Sequence, residues 1–292
     1  MLPTILVLPA LYVCAPAQAH HSAAGDLGQS NLSRAPIQNA GGKLSLANHR
    51  LSLDQTLYRI SETPTFVDPV AEDSMWWWTS LSAAVALSNT LELGLTIPMA
   101  TRFSLQDSEQ EDVGFGDLRF GSRYFLFYDQ DNSYNLSLGS ELSLPTGSSH
   151  DGFSAKHVVQ HAAFALRVVL GSSDVIVGSD AGLAWSYEQN PQLAADYRLL
   201  VASPEFVSMR LSASVQGQSF FFDSSSSLQS IPSQRRSAGD SLFVFSSAIN
   251  ASILKNLLVI AGVDLPLSSK KNFDWACSLS LQYWFSSQRA NN

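Results

Sequence analysis

Segment 273–285 reads FDWACSLSLQYWF, with Phe273, Trp275, Cys277, Leu279, Leu281, Tyr283 and Phe285 on one parity and Asp274, Ala276, Ser278, Ser280 and Gln282 on the other. A period of two puts these sets on opposite faces of a β-strand. The pattern recurs. In 134–144, Tyr134, Leu136, Leu138, Leu142 and Leu144 oppose Asn135, Ser137, Gly139, Glu141 and Ser143. In 91–99, Leu91, Leu93, Leu95, Ile97 and Met99 oppose Glu92, Gly94 and Thr96. In 207–219, Val207, Met209, Leu211, Ala213 and Val215 oppose Ser208, Arg210, Ser212, Ser214, Gln216 and Gln218.

About twelve such strands are predicted, over 43–57, 75–88, 90–103, 115–127, 133–144, 157–170, 173–188, 194–202, 206–222, 240–253, 256–267 and 273–285. Most exceed the usual globular strand and reach the ~9–11 residues that a tilted membrane strand needs. The links alternate in length. Ser88–Thr90, Asp129–Ser133, Gly171–Asp174, Ser203–Phe206 and Leu254–Asn256 are short, while Tyr58–Ser74, Leu105–Gly114, Pro145–Lys156, Glu188–Leu193 and Asp223–Gly239 are mostly longer. Short turns on one side and longer loops on the other are the topology of an outer-membrane barrel. The fold class expected is therefore all-β, an antiparallel up-and-down transmembrane β-barrel, with both termini on the short-turn, periplasmic side. Pro98, Pro145 and Pro266 are read as ending strand pairing, because proline removes a ladder donor.

A soluble sandwich alternates too, so the end residues decide the solvent. The apolar faces end in aromatic residues, and Trp76, Trp78, Tyr134, Trp185, Tyr187, Trp275, Tyr283 and Phe285 are expected at the two membrane interfaces. The opposite faces hold Gly, Ser, Asn and Gln with single charges: Glu92, Asp117, Arg119, Arg123, Glu141, Arg167, Asp180, Arg198, Arg210 and Asp264 are expected to line the lumen. Hydrocarbon tolerates no open sheet edge, so the sheet must close.

Composition narrows the class further. Only 14% of the 292 residues are charged, against roughly a quarter in soluble domains, and the net charge of −8 leaves no Lys/Arg surplus for nucleic acid. The start MLPTILVLPALYVCAPAQAHH has a short apolar core and an A-x-A site at Ala17–Ala19, so residues 1–19 read as a signal peptide. Residues 20–40 lack alternation and read as an irregular N-terminal segment, 41–285 as the barrel and 286–292 as a tail. Cleavage after Ala19 removes Cys14 and leaves Cys277, read as a small hydrophobe on its apolar face.

Candidate chemistry is sparse. Asp117, Arg119 and Arg123 share a strand face, and Glu92 and Glu141 lie opposite in sign on neighbouring strands. They make either an internal salt-bridge ladder or a constriction that selects by charge, and both uses need the same residues. His20-His21 sits on a chain end without a closed ligand set. His157 and His161 share a strand face roughly 13 Å apart, too far to hold one metal. Gly114-Phe115-Gly116-Asp117 lacks the Lys-Ser/Thr and helix of a phosphate loop and reads as a turn entering a strand. No metal, cofactor or nucleic acid is expected, and no G-x-S-x-G accompanies His161.

Three stretches carry a family likeness. Leu91–Leu95 with Pro98, Gly114-Phe115-Gly116-Asp117-Leu118, and Leu144-Pro145-Thr146-Gly147 resemble motifs of the outer-membrane proteins assigned to the MetA pathway of phenol degradation. The C-terminal AGVDLPLSSKKNFDWACSLSLQYWF is similar to that family's last hairpin. The resemblance implies a barrel, passage of hydrophobic or aromatic small molecules, and no catalytic residues. The expected partners are outer-membrane lipid, the barrel-assembly machinery and a small solute. Two other readings stay open: a lipid-modifying barrel enzyme using a Ser–His pair, and a plugged structural barrel.

Overall fold

The computed structural model describes residues 49–60, 74–104, 111–129, 133–147, 158–187, 193–221, 241–268 and 273–285. Its strands are β1 (His49–Ile60), β2 (Ser74–Ala86), β3 (Leu91–Ser104), β4 (Glu111–Phe115), β5 (Leu118–Tyr128), β6 (Tyr134–Leu144), β7 (Val159–Leu170), β8 (Val175–Ser186), β9 (Leu193–Ala202), β10 (Met209–Phe220), β11 (Ser241–Leu254), β12 (Leu257–Pro266) and β13 (Trp275–Phe285). Neighbours pair antiparallel, β1 pairs with both β2 and β13, and β2 pairs with β3, so the sheet closes on itself. The result is a 12-strand barrel, because β4 and β5 together fill one position beside β3. Closure leaves no open seam in the ring, which is what a lipid environment demands.

The described short links lie at one rim: Leu87–Thr90, Gly171–Asp174, Ser203–Ser208 and Lys255-Asn256. The pairing His49↔Phe285 puts the start of β1 and the end of β13 at that same rim. Lys255-Asn256 joins β11, which with β3 is one of the two longest strands, to β12 with two residues. Strand β10 begins at Met209, later than the pattern suggested. Val207 and Ser208 adopt φ of 48° and 60°, and Phe206 and Met209 exchange backbone hydrogen bonds across them. Positive φ at both central residues is the hairpin turn whose twist matches antiparallel strands.

Alternation holds along nearly every strand. In β13 the pattern from Trp275 to Phe285 is exposed, buried, exposed without a break. Outward positions are apolar, as with Leu81, Leu199, Leu211, Ile249 and Leu279, all well exposed on the outer wall. A surface of this kind suits hydrocarbon and would be an aggregation hazard in water.

Three expectations need correction. Trp76 and Trp78 are 1% and 2% exposed and point into the barrel, whereas Trp77 between them points out. The register of β2 explains it: Ser80 and Ser82 face inward and Leu81 and Val85 outward, so even positions are interior throughout. Phe273 also turns inward, against Tyr58, with ring centroids 5.4 Å apart at 72°. It precedes the strand, which starts at Trp275, so it escapes the alternation. Pro98, finally, lies inside β3, and the chain stays paired on both sides of it. In an antiparallel strand a residue's N–H and C=O face the same neighbour. The carbonyl of Pro98 accepts the Gly116 N–H at 2.9 Å, so its missing donor faces the break between β4 and β5, where no ladder bond is lost. Pro145 follows β6 and Pro266 closes β12, as expected.

Candidate functional site: the barrel interior

The interior is layered. Near the long-loop rim, Tyr58, Trp76, Trp78, Ala100, Val244, Phe273 and Ala276 form one buried apolar cluster, with Val159, Ala194 and Leu242 in another. At the short-turn rim a second layer joins Ile176, Leu200, Ala202, Ala248, Leu258, Ile260 and Trp284. The first is an aromatic roof and the second a mainly aliphatic floor. Most of the polar and charged side chains sit between them.

All ten residues expected to line the lumen are buried on the inward face. Asp180 is the centre of one cluster: Arg167 Nη1 donates to Oδ1 and Arg198 Nε to Oδ2, each at 2.6 Å. The local sequence makes room for this. The inward row of β8 reads Gly178, Asp180, Gly182, and a Cβ on Gly178 would stand 2.7 Å from Arg167 Cδ. A Cβ on Gly182 would meet His161 Nε2 at 2.6 Å. Across that gap His161 Nε2 reaches Asp196 Oδ1 at 2.5 Å, from β7 over β8 to β9. Glu141 lies on β6 directly opposite His161.

A second cluster sits toward the short-turn rim. Glu92 accepts from Arg123 Nη1 at 3.1 Å and lies 3.5 Å from Arg50 Nη2. Arg119 is buried on β5 opposite Thr96 and Ser143. Asp264 is buried on β12 opposite Ser246 and Ala276. Arg210 departs from the rest. It donates to the carbonyls of Asp174 and Ser203 at 2.6 Å each, and to Asp174 Oδ2 at 2.9 Å. Its role is to clamp two turns of the rim together.

Arg50, Asp54 and Asp196 are interior groups that the candidate set lacked, while His161 faces the lumen as its strand register predicts. Parity held the signal for two of them: Arg50, Ser52, Asp54 and Thr56 alternate with Leu51 and Leu53 in one strand. Nothing local to the sequence pairs His161 with Asp196, because the contact skips a strand. Among the described residues no group of three or more His, Cys, Asp or Glu is placed to hold a metal. His20, His21 and His157 lie outside the described residues.

The aromatic residues expected at the interfaces divide by parity. Tyr134, Tyr187, Trp275, Tyr283 and Phe285 are exposed on the outer wall, and Trp185 is half-buried there. Tyr134, Tyr283 and Phe285 lie toward the short-turn rim, Trp185, Tyr187 and Trp275 toward the other. Trp77 belongs to the outer set in place of its neighbours.

The three sequence motifs meet at one corner of the long-loop rim. Gly116 lies against Pro98 and Trp78, where a Cβ would come within 2.9 Å and 3.1 Å. Gly147 packs on Phe115 and Gly116, and its N–H donates to Asp117 Oδ1 at 3.1 Å. The Thr146 hydroxyl accepts from Leu118 N–H at 2.9 Å. Side-chain bonds thus replace the ladder where the strand breaks into β4 and β5. Asp117, buried at 0% exposure, serves this corner. The family described as "Putative MetA-pathway of phenol degradation" matches residues 33–263. The chain belongs to this family.

Comparison with solved structures agrees on the architecture. It resembles the COG4313 outer membrane channel from Pseudomonas putida F1, with a TM-score of 0.62 and 12% identity over 83% of this chain and 97% of that one. It also resembles the NanC porin, with a TM-score of 0.51 and 9% identity over 80% and 98% of the two chains. At such identities the likeness shows the fold, an outer-membrane-type barrel. Comparison with curated protein sequences finds no match.

Proposed function

We propose that this protein is a channel of the outer membrane that passes small solutes, with hydrophobic or aromatic molecules as its cargo. The observation that carries the reading is the layered interior: an aromatic roof, a polar belt and an aliphatic floor inside a closed barrel. An apolar solute finds van der Waals partners at both ends of that path, and the belt keeps bulk ions from leaking freely. The outer wall would sit in lipid, with its aromatic residues at the two interfaces and the short-turn rim facing the periplasm. Assembly into the membrane would use the cell's barrel-assembly machinery.

Six buried arginines face seven buried carboxylates among the described residues. Near-balance predicts weak ion selectivity. His161 lies inside the barrel, bonded to Asp196 and away from the lipid-facing wall on which a lipid-modifying Ser–His pair would act. That geometry favours a channel over a lipid-modifying enzyme. The plugged reading draws support from the belt itself, whose Arg167, Arg198 and His161 are fully buried.

The test is single-channel conductance of the refolded mature protein in a planar bilayer, with heat-dependent gel migration confirming the folded barrel. Discrete, weakly selective steps are expected. A folded barrel that never conducts and never passes a radiolabelled aromatic solute would overturn the reading in favour of a plug.

A further inference from the structure

The floor of the lumen carries polar atoms that the fold does not use. Arg50 and Trp284 face each other across β1 and β13, 3% and 5% exposed, with the guanidinium carbon 5.1 Å from the indole centroid. Arg50 Nη1, Trp284 Nε1 and Ser52 Oγ are buried and make no hydrogen bond among the described residues. Ser52 is two residues from Arg50 on the same inward face. Buried donors of this kind are rare in finished protein interiors, because each one left unmet is costly. The nearby carboxylate does not neutralise the site, since Glu92 is shared between Arg50 and Arg123. Asp54 lies on the same inward face of β1, roughly 7 Å from Ser52 and roughly 13 Å from Arg50 along the strand. Beside these donors the floor is apolar and closely packed, with Trp284 in one cluster with Leu258 and Ile260, 0% and 1% exposed, so a solute enters as these side chains part.

We propose that Arg50, Trp284 and Ser52 form a binding station on the lumen floor for a small apolar acid: a compact hydrocarbon or aromatic body bearing one anionic oxygen group. This rests on the channel reading and gives its cargo a chemistry. The oxygen accepts from Arg50 Nη1 and Trp284 Nε1, with the Ser52 hydroxyl as a further donor. The body lies on Leu258, Ile260 and the indole. A carboxylate and a phenolate satisfy these demands alike. The charge on Arg50 selects the anion over its neutral counterpart, and the aliphatic floor selects an apolar acid over a hydrophilic one.

Equilibrium binding to the full mature protein in detergent micelles tests this, with sodium benzoate, sodium acetate and benzyl alcohol as probes. Benzoate should bind saturably, acetate should not, and benzyl alcohol should bind at least about tenfold more weakly, in keeping with loss of a hydrogen bond to a charged donor. Arg50→Met and Trp284→Leu should each weaken benzoate by about the same factor, and Arg50→Lys should restore part of it. Gel migration shows whether each variant is folded. Should a variant fail to fold, nuclear Overhauser contacts between benzoate ring protons and the Leu258 and Ile260 methyls of the unmodified protein decide the matter. Benzoate affinity unchanged in both folded variants overturns the proposal. So do acetate or benzyl alcohol binding as tightly as benzoate, and ring contacts confined to other residues. Conductance without benzoate binding removes the station and leaves the channel standing. Benzoate binding in a barrel that never conducts supports the station and removes the channel.

Discussion

The inner wall of the barrel has two unlike arcs. From β3 round to β9 the inward positions carry charge, and the charges are engaged: Arg123 with Glu92, Arg167 and Arg198 with Asp180, His161 with Asp196. From β10 through β13 to β1 and β2 they carry mostly hydroxyls and amides, and several of these are unmet. Ser52, Ser214, Ser246 and Ser278 make no hydrogen bond among the described residues. The difference follows from what burial costs each group. An isolated charge inside a barrel is intolerable, so the charged arc exists only where neighbouring strands bring opposite signs together and where glycine leaves space for long side chains. A neutral hydroxyl costs far less to leave alone, so the second arc needs no such matching. One arc is crossed by ion pairs and the other is lined mostly by neutral groups, while unmet hydroxyls occur in both, Ser137 and Ser143 of β6 among them.

Changing the charged arc should have the largest effect. Asp180→Leu strips the shared carboxylate from Arg167 and Arg198 and should lower unfolding stability by about 3–5 kcal/mol, read from urea titration of the refolded barrel. A loss below about 1 kcal/mol would mean that the two arginines do not depend on Asp180. Next is Gly182→Val, which drives a side chain into His161 Nε2 and the Ala162 carbonyl at 2.6 Å and 2.8 Å. It should cost about 1–3 kcal/mol by the same titration, through overpacking and the broken His161–Asp196 contact. The double change Arg119→Ser with Arg123→Ser leaves carboxylates in excess. It should shift reversal potentials toward cations by about fivefold in permeability, the factor that ~1 kcal/mol in water represents. An unchanged ratio in a conducting barrel takes both arginines out of the filter. Ser246→Ala should do least, within about 0.5 kcal/mol, because replacing an unmet hydroxyl breaks no bond. A large loss there would show that the second arc is as tightly coupled as the first.

A good share of the fold was legible in the chain. Ser52 against Leu51 and Leu53, or Ser280 against Leu279 and Leu281, states which way a strand faces, because side chains alternate however the strand is paired. The interior set from Glu92 to Asp264 followed from that rule alone. Trp76 and Trp78 were misplaced by reading three tryptophans as one aromatic block, when the parity of Ser80 and Leu81 already assigned each of them. The strand break at Gly116–Asp117 was read as a turn entering a strand, and it is a corner within one barrel position. The pieces that stabilise it come from residue 98 and from Thr146 and Gly147, too far along the chain for any local pattern to join.

The sequence by itself determined the strands, their inward and outward faces and the order of turns, all consequences of a two-residue period that each strand carries independently. The tertiary structure decided who meets whom. Register puts Arg50 against Trp284, the small inward glycine of β8 lets His161 cross to Asp196, and closure gathers Tyr58 of β1, Trp76 of β2 and Phe273, just before β13, into one roof. Those contacts depend on the stagger of every strand around the ring, and no single strand holds that information.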